Sequence, residues 1–166
     1  MLNFFIKQKN GFSVLEVLIA VLIITMGMIG VLSLVLQNIQ VQHINKNNLI
    51  ASQLAQEGIE LVRNIRDTNW LDGNAYDYGI AGDGTYTIDY TFTANDLINV
   101  INDSGAKLNI NSAGFYTHSA GSATAFYRLI TVSDNTDYLE VECKVRWAER
   151  GRIHDYVATT LLYDWR

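Results

Sequence analysis

KNGFSVLEVLIAVLIITMGMIGVLSLVL, Lys9–Leu36, decides how the rest of this chain reads. From Phe12 to Leu36 only Ser13, Glu16, Thr25 and Ser33 interrupt an apolar run. Val17–Leu36 carries no charge over 20 residues, long enough for a helix to cross about 30 Å of hydrocarbon. Glu16 lies inside the run, where a carboxylate is costly unless it finds a partner or stays near the interface.

Upstream, residues 1–11 read MLNFFIKQKNG, a short segment made basic by Lys7 and Lys9 and free of acid. No basic cluster follows Leu36 closely, so the positive-inside rule places the N-terminus in the cytoplasm and the remainder outside. A cleaved secretory signal would want a shorter apolar region with a small-x-small site at its far end. Leu34–Asn38 offers no such site, and Glu16 argues against one.

Downstream the helical pattern continues. Val41, Ile44, Ala51, Leu54, Ala55, Gly58, Leu61, Val62 and Ile65 recur at three- and four-residue steps, the stripe of an amphipathic helix. No turn signal separates the two halves, so one helix is expected from about Phe12 to about Arg66, about 80 Å at 1.5 Å per residue. Asp72-Gly73-Asn74, Asp77, Gly79, Gly82 and Asp83-Gly84 mark residues 67–84 as a loop. Strands are expected over Thr85–Thr93, from Leu108, and over Phe126–Ser133, Asp137–Glu149 and His154–Trp165, with a tight hairpin at Arg150-Gly151-Arg152. In Asp137–Glu149, Leu139, Val141, Cys143, Val145 and Trp147 alternate with Glu140, Glu142, Lys144 and Arg146. That is an antiparallel sheet with one buried face, and the apolar stripe of the helix is its natural cover. The expected fold class is α+β, with four segments: 1–11, 12–36, 37–66 and a β-rich head at 67–166.

The chain has 166 residues and a net charge of −5, which becomes −7 without Lys7 and Lys9. An acidic head has no electrostatic footprint for nucleic acid. Cys143 is the only cysteine, so an intramolecular disulfide is excluded, and its place in the alternating strand makes it a buried thiol. Gly-x-Ser-x-Gly, P-loop and dinucleotide fingerprints are absent, and His43, His118 and His154 form no metal spacing. No enzyme activity and no cofactor are expected. The aromatics Trp70, Tyr76, Tyr78, Tyr86 and Tyr90 read as packing groups for the sheet and its loops.

Lys9–Ala20 resembles the prepilin cleavage and methylation site of type IV pilins and type II secretion pseudopilins. A basic leader ends in Gly11, an aromatic Phe12 follows, a glutamate stands four residues on at Glu16, and an apolar helix continues. The resemblance implies that a membrane prepilin peptidase cuts between Gly11 and Phe12 and methylates the new amine of Phe12. It also implies that Glu16 is the assembly charge. In a filament core of low dielectric, that carboxylate pairs with the Phe12 amine of a neighbouring subunit. The partners implied are the inner membrane, the peptidase, other pilin subunits and a pilus assembly platform. An uncleaved membrane-anchored binding domain is the alternative without processing.

A looser resemblance covers Ala51–Asp67, Phe126–Ile130, Val141–Trp147 and Thr159–Trp165, and points to a minor pilin or pilus-modification-type subunit over a major pilin; a pseudopilin of a type II secretion or DNA-uptake system is the second reading. Filaments of this family often carry a proline near the position of Ser33. This chain has none, and Gly27 and Gly30 either loosen the helix there or allow close helix packing. Major pseudopilins bind calcium in a C-terminal loop. Asp72, Asn74, Asp77, Asp83, Asp134, Asn135 and Asp137 carry suitable oxygens, although such clusters more often make plain turns.

Overall fold

A computed structural model describes residues 11, 13–80, 83–91, 95–96, 101, 103–135 and 137–165. The chain divides into two compact units, Met1–Asn45 and Lys46–Arg166. A single helix, α1 (Val14–Leu71), contributes to both. Among the described residues seven strands follow: β1 (Gly84–Thr87), β2 (Asn95–Asp96), β3 (Lys107–Ile110), β4 (Tyr116–Thr117), β5 (Ser122–Asn135), β6 (Tyr138–Glu149) and β7 (Arg152–Tyr163). The α+β layout expected from the sequence is the one observed.

In the first unit, every described residue from Val14 to Leu36 is exposed. The helix is long and apolar enough to span a membrane. A helix satisfies its own backbone hydrogen bonds, which hydrocarbon requires.

In the second unit, all strand pairings are antiparallel. The centre of the sheet is β5. One of its edges pairs with β6 from Phe126 opposite Trp147 to Asn135 opposite Tyr138. Its other edge takes β3 near Tyr127 and β1 near Thr131. Alternation buries Leu139, Val141, Cys143, Val145 and Trp147 on one face of β6, as the sequence pattern implied. They join Phe126, Ile130 and Val132 of β5 and Ala51, Leu54, Ala55, Ile59, Leu61 and Val62 of α1 in one core. β6 and β7 meet in a two-residue turn that leaves Glu149 opposite Arg152. Arg150 and Gly151 hold φ of 51° and 76°, the paired positive values of a type I′ hairpin.

Several boundaries differ from expectation: β5 spans Ser122–Asn135 against the expected Phe126–Ser133, β7 spans Arg152–Tyr163 against His154–Trp165, and the helix end and the first strand differ as well. The helix runs past Arg66 to Leu71. Buried Asn69 holds the extra turn, its side-chain amide donating to the carbonyls of Tyr76 (3.2 Å) and Tyr78 (2.8 Å). Gly73, at φ 75°, lies in the left-handed conformation that commonly follows a helix end. The strand expected over Thr85–Thr93 is observed only as Gly84–Thr87. Asp89 accepts from both the N–H and the hydroxyl of Thr91, a local turn that competes with the ladder. Residues 92–94 lie outside the described set.

The helix approaches the sheet closely at Gly58. A Cβ there would stand 2.5 Å from Cys143 Sγ, 3.3 Å from Arg128 Cδ and 3.4 Å from Ile130 Cδ1. Overpacking of this kind costs about 1–3 kcal/mol, against about 1 kcal/mol gained by alanine over glycine in a helix. Gly58→Ala therefore lowers the urea midpoint of unfolding. Cys143→Ala in the same chain, by removing Sγ, recovers part of the loss.

Candidate functional site

The candidate site sits where the chain enters α1. Gly11 is exposed. Phe12 and residues 1–10 lie outside the described set. The first helical turn closes as Val17 N–H donates to the Ser13 carbonyl at 3.2 Å. Glu16 stands in that turn, where its negative charge complements the positive end of the helix dipole. Ser13, Leu15, Ile19, Ala20 and Ile23 surround it along the helix surface. Among residues 14–36 it is the only formal charge. The arrangement sets one carboxylate acceptor on an otherwise apolar stretch of helix.

The acidic residues proposed from the sequence as oxygen ligands come only partly together. Asp72 and Asn74 lie exposed in the turn after α1. Asp77, Asp134 and Asp137 are near enough to Tyr76 to act on it. Burial, then Asp134, Asp77, Asp164 and Asp137, raise the phenol above its ordinary pKa. The Asp83 carboxylate accepts from the Asp134 backbone N–H at 2.9 Å, a bond within the loops. Among the described residues no group of three or more histidine, cysteine, aspartate or glutamate side chains is placed to hold a metal.

A buried polar network lies between α1 and the sheet, and the sequence reading did not single it out. Arg128 is fully buried. Its guanidinium donates to the carbonyls of Leu54 (3.2 Å) and Ile88 (2.8 Å) and pairs with Glu57 at 3.2 Å. The signal was available: Phe126, Arg128, Ile130 and Val132 share the inward parity of β5, so a cation among them is committed to burial. Nearby, the Asp89 carboxylate also accepts from the Thr117 hydroxyl (2.6 Å) and the His118 N–H (3.2 Å). Burial pushes Asp89 up, but its hydrogen bonds from Thr117, Thr91 and His118 outweigh that and hold the carboxyl at about 2. Burial and then the charge of Arg128 push His118 down to about 4, against the pull of Asp89. Burial raises the Cys143 thiol to about 12, so the thiol stays protonated and unreactive at neutral pH. The network ties α1 to the sheet and supplies no nucleophile.

Residues 6–32 match the prokaryotic N-terminal methylation motif family. The chain carries the type IV prepilin signature. No curated protein and no solved structure matches it at a significant level. The matched span includes Gly11, Phe12 and Glu16 and ends inside the apolar half of α1. The signature supports a type IV pilin-like or pseudopilin precursor, processed by a prepilin peptidase and assembled with other pilins. The long helix followed by an antiparallel sheet is consistent with the type IV pilin fold, and the apolar N-terminal helix fits a membrane-anchored protein.

The network makes stability depend on pH with a definite sign. The folded-state pKa of His118, about 4, lies below its ordinary 6.5, so the unfolded chain binds more protons between those values and folding weakens as pH falls through them. The loss reaches up to about 3 kcal/mol. Asp89, at about 2 against 3.8, adds a further loss below pH 3.8. Thermal unfolding from pH 7 to 4 should show a falling midpoint in the wild-type chain and a flatter profile for His118→Gln.

Proposed function

We propose that this chain is a prepilin whose mature form is a structural subunit of a type IV pilus-like filament, in the manner of a minor pilin. Residues 1–11 form the leader, 12–36 the membrane and filament-core helix, 37–66 the amphipathic half and 67–166 the head. A prepilin peptidase cuts between Gly11 and Phe12 and methylates the Phe12 amine. Before assembly the subunit is a single-pass inner-membrane protein with its head outside the cytoplasm. During assembly Glu16 receives the Phe12 amine of a neighbour, while the apolar helices supply undirected adhesion. The observation that carries the reading is the methylation motif at residues 6–32, continuous with a helix whose apolar half holds Glu16 as its single charge.

The minor-pilin role, rather than that of a major pilin, draws on the looser resemblance along Ala51–Asp67 and the closing strands, with a pseudopilin of a secretion or DNA-uptake machine as the second reading. It also draws on the single buried Cys143, which leaves no C-terminal disulfide loop.

Intact-mass measurement on the chain coexpressed with a prepilin peptidase tests the proposal. The wild type should lose residues 1–11 and gain one methyl group, and Gly11→Val should keep its full mass. An unprocessed wild type under conditions where a control prepilin is cut contradicts it and leaves an uncleaved membrane-anchored domain.

A further inference from the structure

Most cations described in the head are already engaged. Arg63, Arg66, Arg128, Lys144 and Arg146 each pair with a carboxylate, and Lys107 lies over the Tyr127 ring at 5.9 Å. Lys46, Arg150 and Arg152 are exposed and make no ion pair among the described residues. These three share one end of the head. The Asn47 side-chain amide donates to the Glu149 carboxylate at 3.0 Å, which sets the start of the head's part of α1 against the base of the β6–β7 turn. Lys46 adjoins Asn47, and Arg150 and Arg152 flank Gly151 in the turn. Ile153, 63 % exposed, follows on β7, and Leu49, 60 % exposed, on α1. The acidic turns lie at the other end. α1 and β6 run in opposite directions, meeting at Asn47–Glu149 and again at Gly58–Cys143. Asp72, just after α1, and Asp137, just before β6, therefore fall far from the three cations.

We propose that this end of the head docks on an anionic phospholipid bilayer. The guanidinium groups of Arg150 and Arg152 and the Lys46 ammonium bind headgroup phosphates, while Ile153 and Leu49 enter the interface. The inference rests on the membrane-anchored state proposed above. In that state the apolar run ends at Leu36, ten residues before Lys46, and ten residues span at most about 35 Å. The tether keeps the three cations near lipid at high local concentration. Exposed cations beside exposed aliphatic side chains suit the boundary between headgroups and acyl chains, and a guanidinium meets a phosphate with paired hydrogen bonds. Glu149, the one carboxylate beside the turn, is turned to α1 by its bond to Asn47 and leaves the two arginines in excess. The acidic turns at the far end are repelled by the same surface, so the bilayer selects this end. The acidic end of a second copy would answer the charges but would offer Ile153 and Leu49 no apolar phase.

The test uses the full chain in vesicles of phosphatidylcholine alone or of an equimolar mixture with phosphatidylglycerol. A fluorophore on Ala148→Cys, exposed beside the turn, reads quenching by nitroxide-bearing lipid, and one on Asp72→Cys reports the far end. Native Cys143 is buried and stays silent. In the mixed vesicles the Ala148 label should be quenched and the Asp72 label should not. Arg150→Gln with Arg152→Gln should lower the docked-to-free ratio about 30-fold with the circular dichroism spectrum unchanged, and added salt should release the head in the same way. Equal quenching at Ala148 in the neutral vesicles, or quenching that survives the double substitution, overturns the proposal. A signal that grows only as the protein-to-lipid ratio rises reports pairing between copies and overturns it too. An unquenched label on a chain that floats with the mixed vesicles overturns the docking and leaves the anchored state standing. A chain that does not float with the vesicles overturns both.

Discussion

Glu16 is an ionisable carboxylate in a helix that otherwise has no charge from Val14 to Leu36, and the proposed assembly follows from that imbalance. Hydrocarbon demands a backbone that satisfies itself, so the segment is a helix. Apolar side chains hold such helices together without choosing a register, because one aliphatic contact is much like another. A carboxylate in the same surroundings does choose, since its cost falls sharply only when a cation comes within a few ångströms. In the proposed filament that cation is the amine created by cutting after Gly11. Processing and register thereby become one chemical requirement: no cut, no amine at Phe12, no partner for Glu16.

The head meets a different demand. Its sheet must hold the amphipathic part of α1 in one position. Gly58 lets the helix come close enough to touch Cys143 and Arg128, and Arg128 then reaches carbonyls on α1 and beyond β1 together with Glu57. A buried cation whose terminal nitrogens are held by groups from separate elements resists sliding, because each displacement breaks a bond made in a dry core. At the far end of α1, Arg66 lies over Trp70 at 4.5 Å, and Trp70 meets Trp165 edge-on at 4.7 Å. The last helical turn is thereby joined to the end of the chain.

What was legible in the sequence depended on short-range pattern. The alternation from Leu139 to Trp147 announces its own buried face, and the three- and four-residue steps after Val41 announce the helix stripe. The methylation motif over residues 6–32 is legible for the same reason, since it lies in linear spacing. Long-range partners were not legible. The helix outlasts Arg66 because the Asn69 amide finds the carbonyls of Tyr76 and Tyr78. The early strand stops because Asp89 finds Thr91 and, from far along the chain, Thr117 and His118. The acidic positions show the same limit. Asp72 and Asn74 lie exposed in the turn after α1, while Asp77 and the sequence-distant Asp134 and Asp137 all act on Tyr76, a convergence that spacing alone does not announce.

The most direct test of the central claim is filament incorporation of Glu16→Gln in cells that carry the peptidase and the assembly machinery. Glutamine keeps the size and hydrogen-bonding capacity of the side chain and removes only its charge. The account predicts a variant that is cut and methylated like the wild type, remains in the membrane fraction and is strongly depleted from sheared filaments. Incorporation at the wild-type level would contradict it, because the carboxylate would then have no part in assembly.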